Sequence, residues 1–298
     1  MSHKVEDEIE NTDTARRIGT LDIGGDATLR VSRLGYGAMR LTGPGVWGCA
    51  ENRNRAQEVL VEVVRCGVNL IDTADAYGPH TNEELIHETL SPYPEGVVIA
   101  TKGGMVRGKD KSWNPDGRPE HLKEACEGSL KRLGLETIDL YQLHSPDPAV
   151  PFEESVGALS ELRESGKIRH IGLSNVSTEQ LGSARNIVPV ASVQNRFNLT
   201  ERGSKDVLDE CEREGIAFFP YFPLAAGDLT APGGPLDELA REHGATHGQV
   251  ALAWLLALSP VIAPIPGTSK VEHLQENLAA ADVELSKEEV EELTALSG

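Results

Sequence analysis

The sequence predicts an α/β protein in which eight parallel strands close into a barrel. Eight short apolar runs of strand type recur along the chain, and a helix-like stretch fills each gap between them. This alternation favours a parallel sheet, and 298 residues suit one barrel domain, which typically needs about 250. Titratable side chains end or follow three consecutive strands, at the edge of a barrel where active sites form.

The predicted elements follow in a regular order after a polar amino-terminal segment. Residues 1–16 are predicted to form a mobile acidic tail, and residues 17–298 a single barrel domain. The barrel domain is predicted to begin with a hairpin of two strands, at 20–23 and 28–31. The barrel strands are predicted at 34–38, 69–72, 97–102, 138–143, 168–174, 191–194, 216–221 and 261–266. Helices are predicted at 54–66, 81–90, 119–133, 152–165, 177–186, 202–214 and 234–258, with extra carboxyl-terminal helices near 270–280 and 286–296. Thr246 and Gln249 have the spacing of a capping box, so the stretch 234–258 is expected to break there.

The chain is strongly acidic, with 47 Asp and Glu residues against 28 Lys and Arg residues and a net charge of −19. Such a field repels nucleic acid and acidic membrane surfaces. We interpret the charge as a source of solubility, with adaptation to salt as an alternative explanation. The sequence therefore predicts a small molecule as the partner, no nucleic acid and no membrane, and we expect a monomer.

The cysteines and the amino terminus indicate a cellular location. Cys49, Cys66, Cys126 and Cys211 are scattered without a C-x-x-C pair, which predicts a reducing environment. The acidic amino terminus lacks the apolar core of a signal peptide, and no run approaches the roughly 18 apolar residues needed to span a bilayer. We therefore expect a cytoplasmic protein.

One motif favours a different fold. Residues 43–48 satisfy G-x-G-x-x-G, and Asp72 ends the next predicted strand, which is the spacing of a dinucleotide-binding βαβ unit. However, the following helix is expected to begin near Asn52 or Asn54 rather than at the glycines, and Pro44 and Trp47 suit a pyrophosphate-binding turn poorly. We therefore interpret the motif as a barrel loop.

Four residues have the chemistry of a carbonyl-reducing site. Asp72, Lys102 and His144 lie at the ends of three consecutive predicted strands, and Tyr77 follows shortly after Asp72. Together they would provide a phenol as acid, a cation to tune it, an anion to hold the cation and a neutral hydrogen-bond donor. This set suits protonation of a carbonyl oxygen while hydride arrives at the carbon. A single Asp or Lys at a strand end is usually a solvated loop residue, so the prediction depends on all four residues occurring together.

A metal site is the alternative for a second pair of residues. His243 and His247 have the i, i+4 spacing that can indicate zinc. The predicted cap at Thr246 puts them on different helices, and Gly244 stands where a carboxylate would follow His243. No metal ligand is therefore predicted.

The chain resembles the aldo-keto reductase family through several motifs in the same order. These motifs are Leu34-Gly-Tyr-Gly-Ala-Met39, Asp72 with Tyr77-Gly78, Lys102, Leu143-His144-Ser-Pro146, Gly166 to Asn175, Val193-Gln194-Asn195, Pro266 to Lys270, and Glu276-Asn277. Within the family, residues 33–48 and 77–80 are most similar to the bacterial pyridoxal reductases (pyridoxine 4-dehydrogenases). The resemblance implies a (β/α)8 TIM barrel, NADP(H) as cofactor and carbonyl reduction.

The resemblance also implies a role for each matching residue. Tyr77 is the expected general acid, Lys102 lowers its pKa, Asp72 pairs with Lys102, and His144 orients the carbonyl oxygen. The residues expected to bind the cofactor are Gly37, Ala38, Met39, Ser174, Asn175, Gln194, Tyr221, Leu224, Gly267, Thr268, Ser269, Lys270, His273, Glu276 and Asn277. One departure is that His273 stands where many members carry an arginine on the 2′-phosphate. The preference for NADPH is therefore expected to depend mainly on Lys270 and Ser269.

The substrate is the finest expectation from the sequence. Trp47, Trp113 and Phe222 are expected near the mouth of the barrel, where they would contact it. Similarity to pyridoxal reductases favours pyridoxal as the substrate. The loops at the barrel mouth decide substrate preference and are the part that a sequence describes least, so a broad aldehyde or sugar reductase is the alternative. A cofactor-sensing regulatory subunit with slow catalysis is a further alternative, although no feature of the sequence indicates a membrane partner.

Overall fold

The computed structural model describes residues 13–25, 28–225 and 236–295. Residues 1–12 of the expected tail lie outside the described residues, whereas residues 13–16 begin a short helix, α1 (Asp13–Ile18). The Nη1 atom of Arg17 donates hydrogen bonds of 2.7 and 2.6 Å to the two carboxylate oxygens of Asp282. The predicted boundary after residue 16 therefore falls inside a helix that an ion pair joins to the carboxyl-terminal part of the chain.

Strands and helices alternate along the described chain. The strands are β1 (Thr20–Ile23), β2 (Leu29–Ser32), β3 (Tyr36–Gly37), β4 (Leu70–Asp72), β5 (Val98–Gly103), β6 (Met105–Arg107), β7 (Trp113–Pro115), β8 (Ile138–Leu143), β9 (Ile168–Ser174), β10 (Val190–Gln194) and β11 (Ala217–Phe218). The helices after α1 are α2 (Arg53–Arg65), α3 (Thr81–Leu90), α4 (Pro119–Leu133), α5 (Phe152–Glu164), α6 (Thr178–Arg185), α7 (Lys205–Glu214), α8 (Asp237–Glu242), α9 (His247–Leu258), α10 (Val271–Leu278) and α11 (Lys287–Ala295). Turns of 3-10 helix occupy Ala38–Leu41 and Ala279–Asp282.

Seven strands form one parallel sheet in the order β11-β10-β9-β8-β5-β4-β3. The predicted eighth strand, 261–266, joins its two edges. The Phe218 amide donates to the Val261 carbonyl at 2.8 Å, and the Gly35 amide donates to the Pro264 carbonyl at 2.9 Å. Prolines in this segment lack an N–H group, which explains why it does not form a regular ladder. The sheet is thus closed, and the predicted (β/α)8 barrel is confirmed.

The predicted amino-terminal hairpin is confirmed, and it lies at the opposite end of the barrel from the polar strand ends. β1 pairs antiparallel with β2. Ile23 and Val31 are buried in one apolar cluster with residues near the starts of the barrel strands, including Leu70, Val98 and Ala217. The hairpin therefore covers the amino-terminal end of the strands and leaves the carboxyl-terminal end for a site.

The helix starts follow the caps that the sequence indicates. The Asn52 side chain accepts a hydrogen bond from the Arg55 amide at the start of α2, so the glycine motif at 43–48 lies in the loop before that helix. Thr246 and Gln249 form both bonds of a capping box at the start of α9. The long stretch predicted at 234–258 is therefore broken at Thr246 as expected, although its first two residues lie outside the described chain.

A small hairpin that the sequence did not predict follows β5. No strand or helix was predicted between β5 and α4, but β6 and β7 pair antiparallel within this segment. Arg107 is the direct cross-strand partner of Trp113 in this hairpin. Because directly opposed side chains on a strand pair contact each other, this pairing brings Trp113 to a defined position beside the barrel mouth.

Candidate active site

The carboxyl ends of the barrel strands carry the polar residues that the sequence singled out. Asp72 ends β4, Lys102 is the last residue but one of β5, and His144 follows β8 directly. Ser174 and Gln194 end β9 and β10. Because these strands are parallel neighbours in one barrel, the five side chains converge at the same end of the fold.

Lys102 and Asp72 form a buried ion pair at this end of the barrel. The Lys102 ammonium donates to Asp72 Oδ2 at 2.6 Å and to the Thr73 carbonyl at 2.9 Å, and the two charged side chains are 1% and 4% exposed. Burial is the strongest single influence and acts to lower the pKa of Lys102, but the adjacent Asp72 carboxylate, with a contribution from Tyr77, raises that pKa above its ordinary value. Lys102 is therefore a fixed positive charge at neutral pH.

Two glutamine amides hold the other oxygen of Asp72. Gln194 Nε2 donates to Asp72 Oδ1 at 2.8 Å, and Gln142 Nε2 donates to the same oxygen at 3.2 Å. Gln142 is fully buried and was not predicted. Its sequence signal was available, because Gln142 lies two residues before His144 and alternate residues of a strand face the same side.

Tyr77 lies within reach of the buried cation. Its hydroxyl is 3.4 Å from Lys102 Nζ, and the residue is 6% exposed. Burial raises the pKa of Tyr77 above its ordinary value, while Lys102 acts to lower it. The expected lowering by Lys102 is therefore present but does not outweigh burial. Tyr77 is consequently a neutral phenol at physiological pH.

His144 completes the group as a buried neutral ring. Burial lowers the pKa of His144 well below its ordinary value, and the positive charges of Lys102 and Arg107 act in the same direction. Its Nδ1 atom is buried without a partner among the described residues. A buried N–H group without an acceptor is rarer than an unpaired acceptor, so we assign the ring hydrogen to Nε2.

The four residues lie along a cleft of about 820 Å³, for which the sequence predicted most of the lining. Asp72, Tyr77 and His144 line it, while Lys102 lies beneath them. The predicted cofactor residues that line the cleft are Gly37, Met39, Ser174, Asn175, Gln194, Tyr221, Leu224, Gly267, Thr268, Ser269, His273, Glu276 and Asn277. Of the predicted substrate residues, Trp113 and Phe222 line it.

Besides Lys102, three predicted residues do not line the cleft. Ala38 is completely buried, the Lys270 side chain is exposed beside α10, and the Trp47 ring lies 5.5 Å from the guanidinium carbon of Arg107. Arg40, by contrast, lines the cleft and was not predicted. It follows Met39 on the 3-10 turn, so the motif that predicted Gly37 and Met39 continues by one residue.

Asn175 and Tyr221, which both line the cleft, are joined by a hydrogen bond. The Tyr221 hydroxyl donates to Asn175 Oδ1 at 2.7 Å, and Asn175 Nδ2 donates to Ser174 Oγ at 3.1 Å. Asn175 has a φ of 59°, in the left-handed region that asparagine tolerates better than most residues. The backbone thus turns the amide of Asn175 toward the cleft at the end of β9.

Bare backbone forms part of the cleft floor. A Cβ atom added to Gly37 would lie 2.7 Å from the Ile265 carbonyl oxygen, and one added to Gly267 would lie 2.7 Å from the Gly37 carbonyl oxygen. Only glycine fits at this contact between β3 and the closing segment. Because both glycines also line the cleft, main chain rather than a side chain borders the cleft at this point.

A further buried carboxyl group lies two residues before Tyr77. Burial raises the pKa of Asp75 to about 8, and the nearby Glu83 carboxylate acts in the same direction. Asp75 Oδ1 has no partner among the described residues. Glu83, in contrast, accepts hydrogen bonds from Thr101 Oγ1 at 2.6 Å and from Arg132 Nε at 2.7 Å. Asp75 is therefore held as a protonated acid at neutral pH.

The two histidines with the spacing of a zinc site each contact a carboxylate. His243 and His247 contact Glu289 and Asp237, at 2.7 and 2.6 Å. Over residues 13–25, 28–225 and 236–295, no group of three or more His, Cys, Asp or Glu side chains is arranged to hold a metal ion. None of the described helices is both long enough and apolar enough to cross a bilayer.

Known proteins are similar to this chain in sequence and in fold. The model of the aldo/keto reductase family matches residues 33–297. An uncharacterised oxidoreductase of Schizosaccharomyces pombe is 44% identical over 274 residues, which cover 92% of this chain and 88% of that protein. Pyridoxine 4-dehydrogenase of Escherichia coli is 43% identical over 277 residues, which cover 91% of this chain and 96% of that protein.

A solved structure agrees with the sequence matches. The crystal structure of an aldo-keto reductase from Klebsiella pneumoniae in complex with NADPH superposes with a TM-score of 0.78 at 29% identity, covering 93% of this chain and 94% of the other. The family model spans nearly the whole barrel, and both relatives exceed the identity at which a family is secure. The chain belongs to the aldo/keto reductase family.

Proposed function

We propose that this protein uses NADPH to reduce a small aldehyde or ketone to an alcohol, and that pyridoxal, reduced to pyridoxine, is its favoured substrate. The observation that carries the reaction type is the contact between a buried phenol and a buried ion pair at a cleft, with Tyr77, Lys102 and Asp72 in one hydrogen-bonded chain. Membership of the family supports carbonyl reduction. The NADPH complex of the Klebsiella pneumoniae relative supports the choice of cofactor.

The cleft residues fit a nicotinamide dinucleotide. The main chain of Gly37 and Gly267 borders the cleft without a side chain, which would let phosphate groups approach it closely, and Arg40 supplies a cation beside it. The Ser174 hydroxyl and the Gln194 side-chain oxygen keep hydrogen-bonding capacity toward the cleft, which suits the donor and acceptor of a carboxamide. Tyr221 would lie against the ring, and Glu276 and Asn277 would contact the adenine. When bound, NADPH supplies the hydride.

Tyr77 would donate the proton to the substrate oxygen. Its raised pKa keeps the phenol protonated at neutral pH, which is the form that a proton donor needs. Once the proton leaves, Lys102 would stabilise the phenolate across the 3.4 Å gap. Asp72 fixes Lys102 at 2.6 Å, and Gln142 and Gln194 fix Asp72, so the cation is already in position before the reaction begins.

His144 would orient the carbonyl before proton transfer. A neutral ring with hydrogen on Nε2 donates one hydrogen bond to the substrate oxygen without adding a charge. The ring lies 5.8 Å from the Tyr77 ring in an edge-to-face contact, and both residues line the cleft. Two donors on one oxygen align the carbonyl and favour the developing negative charge.

The substrate preference follows from the aromatic groups near Tyr77. Trp113, His144 and Tyr77 form a set of edge-to-face contacts with ring centroids 5.8 to 6.3 Å apart, and Phe222 also lines the cleft. A planar aromatic aldehyde buries its ring well against such a surface. The 43% identical relative is a pyridoxine 4-dehydrogenase, which supports pyridoxal in particular.

The test is to measure kcat/KM with NADPH for pyridoxal and for a panel that includes benzaldehyde, glyceraldehyde and an aldose. We expect pyridoxal to have the highest value. A contaminating reductase is excluded if the Tyr77→Phe variant, prepared in the same way, is inactive on the whole panel. Equal or higher kcat/KM on unrelated aldehydes would replace pyridoxal with a broad aldehyde or sugar reductase activity.

A further inference from the structure

A buried arginine outside the predicted site connects three loops around Tyr77. Arg107 is 9% exposed at the end of β6. Its Nη1 atom donates to the carbonyls of Val46 at 2.7 Å and Ala76 at 3.5 Å, and its Nη2 atom donates to the carbonyls of Gly45 and Lys111, both at 3.0 Å. A guanidinium provides this fork of donors in one plane, whereas an ammonium does not. Arg107 therefore holds main chain from three separate segments.

Two of the carbonyls belong to residues in unfavourable backbone conformations. Val46 has a φ of 57° and Lys111 a φ of 67°. Positive φ is rare for a β-branched residue such as valine and persists only where surrounding contacts enforce it. The Gly78 amide also donates to the Val46 carbonyl at 3.3 Å, which joins the strained loop to the residue after Tyr77. Arg107 thus stabilises a loop that contacts the segment carrying Tyr77.

The same guanidinium covers one face of Trp113. Its carbon atom lies 3.7 Å from the centroid of the Trp113 ring, which is close contact for a cation–π pair. The other contacts of this indole are edge-to-face, with centroids 6.3 Å from Tyr77 and 6.0 Å from His144. Trp113 is nevertheless 40% exposed and lines the cleft. Arg107 therefore fixes an indole whose remaining surface is available to a substrate.

We propose that Arg107 is a positioning residue for carbonyl reduction, which fixes Trp113 as the wall of the substrate pocket beside Tyr77 and thereby favours planar aromatic aldehydes. This inference rests on the proposed function, because it concerns the substrate side of the same cleft. Arg107 itself contacts main chain and indole rather than the reacting atoms, so it acts through Trp113.

The chain offers a matched control for this arginine. Arg202 is also a fork on main-chain carbonyls, donating to Leu199 at 3.2 Å, to Leu293 at 2.9 Å and to Thr294, and its guanidinium carbon lies 5.0 Å from the Trp254 ring. Neither Arg202 nor Trp254 lines the cleft. Arg107→Lys and Arg202→Lys therefore remove similar interactions, one beside the site and one away from it.

The experiment measures kcat and KM of wild type, Arg107→Lys, Arg202→Lys and Trp113→Ala for pyridoxal and for propanal. We expect Arg107→Lys and Trp113→Ala each to raise the KM for pyridoxal on the order of tenfold, and to raise the KM for propanal by a much smaller factor. In the double variant Arg107→Lys/Trp113→Ala, the KM should equal that of Trp113→Ala alone, because Arg107 acts through the indole. Arg202→Lys should leave both KM values unchanged.

If Arg107→Lys does not fold, all of the proteins are compared again with the additional substitution Lys111→Gly. Glycine adopts the positive φ at that position without strain and should therefore stabilise the loop. The inference is overturned if Arg107→Lys changes the two KM values by the same factor, or if its effect adds fully to that of Trp113→Ala. Absence of carbonyl reduction by wild type would instead refute the proposed function, and the inference with it. Wild-type activity combined with an Arg107→Lys variant that matches Arg202→Lys would refute this inference alone.

Discussion

Replacement of Asp72 by asparagine tests how the buried ion pair is stabilised. The variant Asp72→Asn keeps the size of the side chain but removes the negative charge 2.6 Å from Lys102 Nζ. Lys102 is 1% exposed, so its ammonium cannot turn to solvent for compensation. Removing one partner of a buried pair typically costs about 3–5 kcal/mol, because the other charge remains buried and unpaired. We expect a loss of this size in the free energy of unfolding at pH 7.

The pH dependence of that loss has a defined sign. In the wild type, the raised pKa of Lys102 means that the stability from its protonation is fully present at neutral pH and is lost only as pH rises through that pKa. In Asp72→Asn, burial is no longer opposed by the carboxylate, so the pKa of Lys102 falls. The stability deficit should therefore be large at neutral pH and should narrow as pH rises, since the amine of the variant then loses its proton.

Urea unfolding of wild type, Asp72→Asn and the control Asp139→Asn at several pH values measures these quantities. Asp139 pairs with Arg169 at 3.1 Å, and the arginine side chain is 63% exposed. Exposed pairs are worth about 0–1 kcal/mol, so the control should change little. A deficit for Asp72→Asn no larger than that of Asp139→Asn would refute the reasoning that Lys102 depends on Asp72.

Three other predictions concern the cofactor and the buried acid. Lys270→Ala should weaken NADPH binding by about fivefold and leave NADH binding unchanged, because an exposed charge pairing with the 2′-phosphate is worth up to about 1 kcal/mol. Fluorescence titration with both cofactors measures this, and equal weakening of both would contradict it. Arg40→Ala should weaken both cofactors by a similar factor, because Arg40 lines the cleft beside the bare backbone of Gly37; an effect on NADPH alone would assign Arg40 to the 2′-phosphate instead. Asp75→Asn should gain stability relative to wild type as pH rises from about 4 to 8, by as much as about 5 kcal/mol, because the raised pKa of Asp75 makes its folded form lose stability over that range. The stability of both proteins is measured by thermal unfolding across this pH range. A stability difference that does not change with pH would exclude a buried neutral acid at position 75.

The barrel and its ion pair were predictable because each depends on local patterns. Apolar runs ending at Asp72 and Lys102 mark strand ends, and parallel strands bring their carboxyl ends together without further information. The capping residues Asn52 and Thr246 likewise fix helix starts through bonds within a few residues. In these cases the residues that form the pattern lie close in the sequence to the structural feature that they determine.

The substrate side of the cleft was less predictable, because its contacts cross long distances in the chain. Arg107 bonds to carbonyls of Gly45 and Val46, some sixty residues earlier, and no local pattern indicates that pairing. The hairpin of β6 and β7 was not predicted, because its strands have only three residues each and lie in a mainly polar part of the sequence. Such short strands give no clear apolar run. Lys270 belongs to a recognised motif, but its side chain is exposed and does not line the cleft, so its role in cofactor binding stays a prediction.

The most direct test of the account is the Tyr77→Phe variant, which removes one hydroxyl from a buried ring. NADPH binding is measured by fluorescence titration, and reduction of pyridoxal is measured by loss of the reduced nicotinamide absorbance. We predict unchanged NADPH affinity and a kcat lowered by roughly 10²–10⁴-fold, because only the proton donor is lost. A Tyr77→Phe variant that retains most of its kcat would contradict the assignment of Tyr77 as the acid, and with it the proposed mechanism.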